Sequence, residues 1–414
     1  MGKSLTLLLV VLLLVPLQLG VLSYSEEHHE VVSLDPNWYL YFPMVVAPNG
    51  VFVLMASSSP LTFMVMTPSQ FQQFHSTGRG GSVYFKVSSS TDEYIPLSPG
   101  TYYLVFYNNV SGSRVHFTYF AFSRPAPTGI ADLGLQYTDG RLLPYTEQFQ
   151  GVIGVVKFNG PQRGYSEGGS SGTTGNSFSV QLNDVLVIKY KGGTQYLWAQ
   201  NVIQYFDGDT TRFVDNVWNM TSRHASVSSG AVKGKGGIYP HYRDGVVEMY
   251  YAYSTPQLRA PPSVELVILA RQLSENAVLI QFGYALGNEN FTFGPVHWYD
   301  NVTVRVGGPV TSAAFVVNGS SVTGDNHALD SELVLGGECC ELQANFARAN
   351  VSLYMLYFNA TPRGFEVFYP KALFPFGLDT AEGAYNLQTS GNGLVTVGLS
   401  APPYVAPPVL PLGV

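Results

Sequence analysis

The sequence predicts an all-β protein, with a small antiparallel N-terminal β-sandwich followed by a larger antiparallel, sandwich-like domain. Three observations predict it. Charged residues make up only 12% of the chain, whereas aromatics reach 14%, with 27 Tyr and 25 Phe. A chain poor in charge and rich in Tyr, Val, Thr and Gly favours strands and turns. Short apolar or alternating runs follow one another, punctuated by Gly, Pro, Asn and Ser. Finally, no stretch repeats apolar residues at helical spacing over three turns.

The elements follow in order. Met1-Gly2-Lys3 is basic, and Leu7 to Leu22 is almost wholly apolar. Val21 and Ser23 are small enough for the −3 and −1 positions of a cleavage site, so residues 1–23 are expected to be a secretory signal. An uncleaved membrane anchor is the alternative. No later apolar run reaches spanning length, so no membrane span is expected in the mature chain. Residues 24–123 hold FPMVVAPNGVFVLMASSS, PLTFMVMT, GSVYFKVSSS, GTYYLVFYNNV and RVHFTYFAFS, which read as the strands of the small sandwich. PSQFQQF, 68–74, reads as a single helical turn. Arg124-Pro125-Ala126-Pro127 marks the boundary.

Residues 124–398 again read as strands, from FQGVIGVVKFN through NSFSVQLNDVLVIKY and QYLWAQNVIQYF to NVSLYMLYF. Two Gly-rich stretches, 164–176 and 228–245, read as loops, and long loops in compact domains often act as lids. The tail 399–414 is Pro-rich and extended.

The chain carries 21 basic and 28 acidic residues, a net charge of −7. In strong acid the carboxylates are neutral, and sparse Lys, Arg and His limit self-repulsion. This composition fits an acid-exposed protein, and equally a neutral secreted one with an amide- and hydroxyl-rich surface. The basic residues form no stripe that would bind nucleic acid. The two cysteines, Cys339 and Cys340, are adjacent. They staple no long loop and supply no zinc site, and they read as free or interchain thiols. Seven Asn-X-Ser/Thr sequons, at Asn109, Asn219, Asn290, Asn301, Asn318, Asn350 and Asn359, suit an N-glycosylated extracellular surface.

There is no HExxH, no GxSxG elbow, no P-loop and no dinucleotide fingerprint, and the later histidines are isolated. No metal or cofactor is therefore expected. What remains is a set of carboxylates and amides set within strands. Asp215 lies in FVDNVWNMT and Asp300 in WYDNVTVRV. Asp330 and Glu332 lie in LDSELVLGG, and Gln200 in YLWAQNVIQYF. An ionised carboxylate in apolar surroundings is costly unless paired or hydrogen-bonded. Two carboxyls sharing one proton meet that condition and form an acid–base pair able to activate water. Each of these residues also has a plain structural reading, since Asp-Asn at a strand end often makes an Asx turn. By strand alternation Glu332 points away from Leu333 and Leu335, into solvent or a cleft.

NSFSVQLNDVL, YLWAQNVIQYF, FVDNVWNMTS, WYDNVTV, DSELVLGG and TAEGAYNLQ together, in this order, resemble the motifs of the thermopsin family over roughly residues 127–395. The resemblance implies an archaeal, secreted acid endopeptidase that acts on unfolded polypeptides at high temperature and is classed with the aspartic peptidases. Where family members carry a Gly-rich segment after ELVLGG, this chain has Glu338-Cys339-Cys340-Glu341. It also lacks Asp-Thr-Gly and Asp-Ser-Gly, so the two-lobed pepsin fold is not expected. The catalytic candidates are Glu332, Asp300 and Asp215, then Asp330 and Gln200. Asp215 with Asp300 would make an aspartic-type dyad, and Glu332 with Gln200 a glutamic-type site with the amide on the oxyanion. Two other functions fit the composition: a non-catalytic cell-surface or adhesion protein, and a carbohydrate-active or lectin-like one.

Overall fold

The computed structural model describes residues 27–397 except 47–49, 123–127, 140, 169–175, 207–208, 244, 291, 320–326, 341, 363, 378–379, 381, 385 and 391–392. The signal segment, the Arg124 to Pro127 boundary and the Pro-rich tail lie outside the described residues. As the sequence predicts, the described chain is nearly all strand, in antiparallel sheets, with one short helix and no two-lobed pepsin architecture.

Residues 27–122 build a six-stranded antiparallel sheet. Its spine is the sixteen-residue strand Val51–Met66. This strand pairs with Val115–Phe122 over its first half and with Gly100–Tyr107 over its second. Its register with Tyr84–Ile95 shifts between Ala56 and Leu61, where SSSP interrupts the apolar run. Phe63, Phe106, Phe117 and Tyr119 fill the core this sheet encloses.

PSQFQQF is more than one turn: it belongs to the ten-residue helix Pro68–Thr77. Thr67 and Gln70 form a capping box, Pro68 opens the helix, and Gly78 closes it at φ 68°. Phe71 and Phe74 bury the inner face against Met64 and Met66. These end signals, not a long apolar period, account for its length.

Most of the remaining described strands form two large sheets packed face to face, and two short two-stranded sheets flank them. The first runs Gly237–Arg243, Val246–Ser254, Thr210–Asn219, Gly193–Phe206, Ser177–Tyr190, Ser331–Gly336, Thr128–Asp132, Phe374–Phe376. The second runs Val232–Lys233, His297–Arg305, Ala277–Gly287, Ser263–Ser274, Gly151–Phe158, Asn350–Thr361, Leu394–Val397, Leu387–Thr389. Alternate residues of each strand meet between them. Leu182, Leu197, Ile203 and Phe213 come from one sheet, and Val264, Ile268, Val302 and Val304 from the other.

The Gly-rich stretch 228–245, read as a loop, contains two strands. Val232–Lys233 pairs with the edge of the second sheet, and Gly237–Arg243 pairs with Val246–Ser254 at the edge of the first. Gly234-Lys235-Gly236 therefore crosses from one sheet to the other at their shared edge. A separate apolar cluster joins the first six strands to this sandwich. Phe52, Leu54 and Phe120 pack with Leu133, Leu135, Phe374 and Phe376, and Phe52 meets Phe376 edge-on at 5.4 Å.

Candidate active site

Two of the five predicted residues come together between the sheets. In Thr210–Asn219, alternation points Thr211, Phe213, Asp215 and Val217 inward, all buried. Asp215 pairs with Asn201 on one neighbouring strand and Tyr253 on the other. Asp300 comes from the opposite sheet. A bulge makes Phe282 face Asp300 and Gly283 face Trp298, leaving Tyr299 as the extra residue. Consecutive side chains normally point to opposite faces, but here Tyr299 and Asp300 are both buried.

The two carboxyls differ in their partners. Asp300 Oδ1 accepts the Lys235 backbone N–H at 3.0 Å and the Asn301 backbone N–H at 2.7 Å. Asp300 Oδ2 accepts the Tyr251 hydroxyl at 2.5 Å. Both Asp215 oxygens are buried with no hydrogen-bond partner. Burial, and then the charge of Asp300, hold the Asp215 carboxyl well above the usual carboxylate range, partly offset by the Lys235 charge. Burial and the bond to Asp300 also push the Tyr251 hydroxyl far above its ordinary value.

Asn201 ties the two sheets beside the pair. Its Nδ2 donates to the carbonyls of Val267 and Gly283 at 3.0 and 2.9 Å, and its Oδ1 accepts the Tyr299 hydroxyl at 2.9 Å. Above the pair runs the Gly234-Lys235-Gly236 strap. Gly236 N–H donates to the Tyr251 hydroxyl at 2.7 Å, and Lys235 Nζ donates to the Tyr299 carbonyl at 2.7 Å. A Cβ on Gly234 would lie 2.2 Å from Tyr251 Oη and 2.9 Å from Asp300 Oδ2. The missing side chains let Gly234 lie against Tyr251 and Asp300, and Gly236 against the Ala252 carbonyl.

Glu332 and Gln200 lie on the opposite face of the first sheet. Glu332 does point away from Leu333 and Leu335, but it is fully buried, with Gly377 packed against its carboxyl. Neither solvent nor an open cleft receives it. Glu332 and Gln200 are separated by one strand, on which Asn183 pairs with both. Asn183 Nδ2 lies 3.5 Å from Glu332 Oε2. The Gln200 amide is instead taken up by Gln181 and Asn216, each at 2.7 Å. Asp330 is buried just before the Glu332 strand. The structure therefore brings Asp215 to Asp300 and leaves Glu332, Asp330 and Gln200 apart from them.

Sequence reasoning missed Tyr251, Lys235 and Asn201, which reach the site only through non-local pairing. It also missed a second buried acid group. Asp132 and Asp184 flank Ser331 in register across three adjacent strands, facing the other sheet. Asp132 accepts the hydroxyls of Tyr145 and Tyr357 and the Gly134 N–H. Burial nevertheless raises its carboxyl to about 6. The Ser331 hydroxyl beside Asp184 is directed to the Met355 sulfur at 3.1 Å. Burial holds Asp184 well above the usual range, the Ser331 hydroxyl partly offsets this, and the charges of Glu332 and Asp132 add to it. One signal was available: Asp184 shares the alternation of Leu182, Leu186 and Ile188, all core residues. No group of three or more metal-ligating side chains occurs among the described residues, and no helix there is long and apolar enough to cross a membrane.

Comparison with known proteins agrees with the motifs. The Thermopsin family model matches residues 82–387, so the likeness starts inside the first sheet rather than at residue 127. Thermopsin of Sulfolobus acidocaldarius is 29% identical over 315 residues, covering 73% of this chain and 89% of that protein. The chain belongs to the thermopsin family.

Proposed function

We propose that the chain is a secreted acid endopeptidase that hydrolyses peptide bonds of unfolded proteins, with Asp215 and Asp300 as its acid–base pair. One observation carries the assignment. Two buried aspartates from opposite sheets act on each other, one receiving three donors and the other none. Family membership supports peptide-bond hydrolysis. In this reading a single proton resides on Asp215, where burial and the neighbouring charge favour the neutral form. Asp300 takes a proton from the attacking water while Asp215 donates to the scissile carbonyl. The proton gained by Asp300 then passes to the leaving amine, and as the C–N bond breaks one hydroxyl of the tetrahedral diol returns its proton to Asp215, leaving the carboxylic acid and the starting pair. Tyr251 and the Lys235 N–H fix the Asp300 carboxylate. The strap closes the edge of the sandwich over the pair, so a polypeptide enters only when Gly234-Lys235-Gly236 lifts.

The test is cleavage of an unfolded protein from about pH 1 to 7 at elevated temperature by the natural chain and its isosteric amide variants. Asp215→Asn and Asp300→Asn are each expected to lower kcat/KM by about 10²–10⁴-fold with the circular dichroism spectrum retained. Glu332→Gln is expected to keep most of the activity. Loss of activity in Glu332→Gln alone would transfer the chemistry to the opposite face of the sheet. Absence of cleavage by the well-folded natural chain would favour a cell-surface structural role.

A further inference from the structure

The adjacent thiols of Cys339 and Cys340 lie outside the machinery described above, and the structure gives residues 337–340 a defined shape. This turn connects the strands Ser331–Gly336 and Leu342–Arg348 on the outer face of the first sheet. Cys340 sits at φ 59°, and the Leu342 N–H closes the turn on the Cys339 carbonyl at 2.9 Å. Consecutive side chains in an extended strand would diverge. The left-handed residue brings them to one side instead, and the Cys339 thiol is hydrogen-bonded to that of Cys340.

The turn is held from below. Ser179 Oγ donates to the Gly337 carbonyl at 2.6 Å, and Gln204 Nε2 to the Glu338 carbonyl at 2.7 Å. The Glu338 N–H donates to Ser166 Oγ at 3.0 Å. Cys340 is exposed and Cys339 half-buried, and neither is in a disulfide. The pair is therefore accessible and pre-oriented, which lowers the ordering cost of a ligand held by both sulfurs.

We propose that Cys339 and Cys340 form a bidentate site for trivalent arsenic, taken up as neutral arsenous acid. Chemistry selects the ligand. Cysteine thiols are protonated in acid. Divalent zinc or cadmium requires thiolates and must expel protons to bind, which acid opposes. Arsenous acid reacts with the thiols themselves. Two As–S bonds form and two As–OH bonds break, and the thiol protons leave with the hydroxides as two waters. Nothing is oxidised or reduced, and no net proton is released, so acid does not oppose the step.

The experiment uses the full secreted chain, reduced with a phosphine and titrated with sodium arsenite at about pH 4. Native mass spectrometry and calorimetry supply the readouts. One arsenic per chain is expected, with both thiols then protected from alkylation. Cys339→Ser and Cys340→Ser should each weaken binding by about 10²-fold or more, as expected when one of two linked bonds is lost. Should either variant fail to fold, protection of both thiols in the natural chain decides the matter. The proposal is overturned if the folded reduced chain retains no arsenic, if either serine variant binds as tightly as the natural chain, or if cadmium binds as tightly at the same pH. The preference for arsenic rests on the acid setting of the proposed function, but peptidase activity enters none of these readouts, so failure of this proposal is distinguishable from failure of the catalytic one.

Discussion

Tyr251 has two jobs at the acid pair, donating its hydroxyl to Asp300 and accepting the Gly236 N–H. Tyr251→Phe removes both bonds and leaves the ring in place. A hydrogen bond to a charged group contributes about 1.5–3 kcal/mol, so kcat should fall about 10–100-fold. Because the lost donor bears directly on the Asp300 carboxylate, the acidic limb of the kcat/KM–pH profile should move as well. A fall in kcat with an unmoved profile would make Tyr251 a packing residue only. Gly234 offers a second test. A Cβ there overlaps Tyr251 Oη and crowds Asp300 Oδ2, so Gly234→Ala displaces the strap or the pair. Misplacement of this order costs about 10²-fold in rate. Steady-state kinetics beside a melting curve would show whether activity falls further than stability does.

The strands of the sandwich were largely legible in the sequence, because their alternation is strong. Phe213, Asp215 and Val217 share one face, and so do Asp300, Val302 and Val304, so both aspartates could be read as inward. The partners could not be read. Tyr251 and Asn201 look like ordinary strand residues until the sheet order places them beside the pair. The strap was legible as Gly-rich, but not as a crossing between two sheet edges, because that depends on which strands end each sheet. Glu332 misled for a related reason. Its outward face was correctly read, but the chain near Gly377 covers it, and coverage by a distant segment leaves no local trace. The contact between the first sheet and the sandwich is likewise non-local. Phe52 is 1% exposed within it, so Phe52→Ala should destabilise the protein by about 3–5 kcal/mol. Chemical denaturation at the pH of greatest stability checks this value.

At the scale of the whole molecule, the buried carboxyls set how stability depends on pH. Asp132, Asp184 and Asp215 all have carboxyls raised in the folded state. Groups raised by folding bind protons more tightly in the native chain, so their contribution is complete below their unfolded values. It is lost as pH rises through their folded ones. For Asp132 the interval runs from 3.8 to about 6, a change on the order of 3 kcal/mol for that group alone. The groups around Asp132 do not reverse the sign. Tyr145 and Tyr357 are neutral, Glu147 adds negative charge, and Lys371 is engaged by Glu147 at 3.0 Å. Melting temperature should therefore fall from about pH 4 toward neutrality. Asp184→Asn, which stays neutral at every pH, should flatten the fall, and a slope unchanged by this variant would remove Asp184 from the account.

The bulge at Tyr299 carries a consequence about parity. Downstream of it, Asp300, Val302 and Val304 keep the inward phase; upstream, the phase is offset by one residue. Deleting Tyr299 would restore a regular ladder with Trp298 and Asp300 both on the faces they occupy now, because adjacent residues of a regular strand point to opposite faces. What the extra residue adds is the tyrosine itself, whose hydroxyl reaches Asn201 Oδ1 at 2.9 Å. Relatives one residue shorter at this point should therefore keep an acid at the position of Asp300 and lose the tyrosine that ties this strand to Asn201.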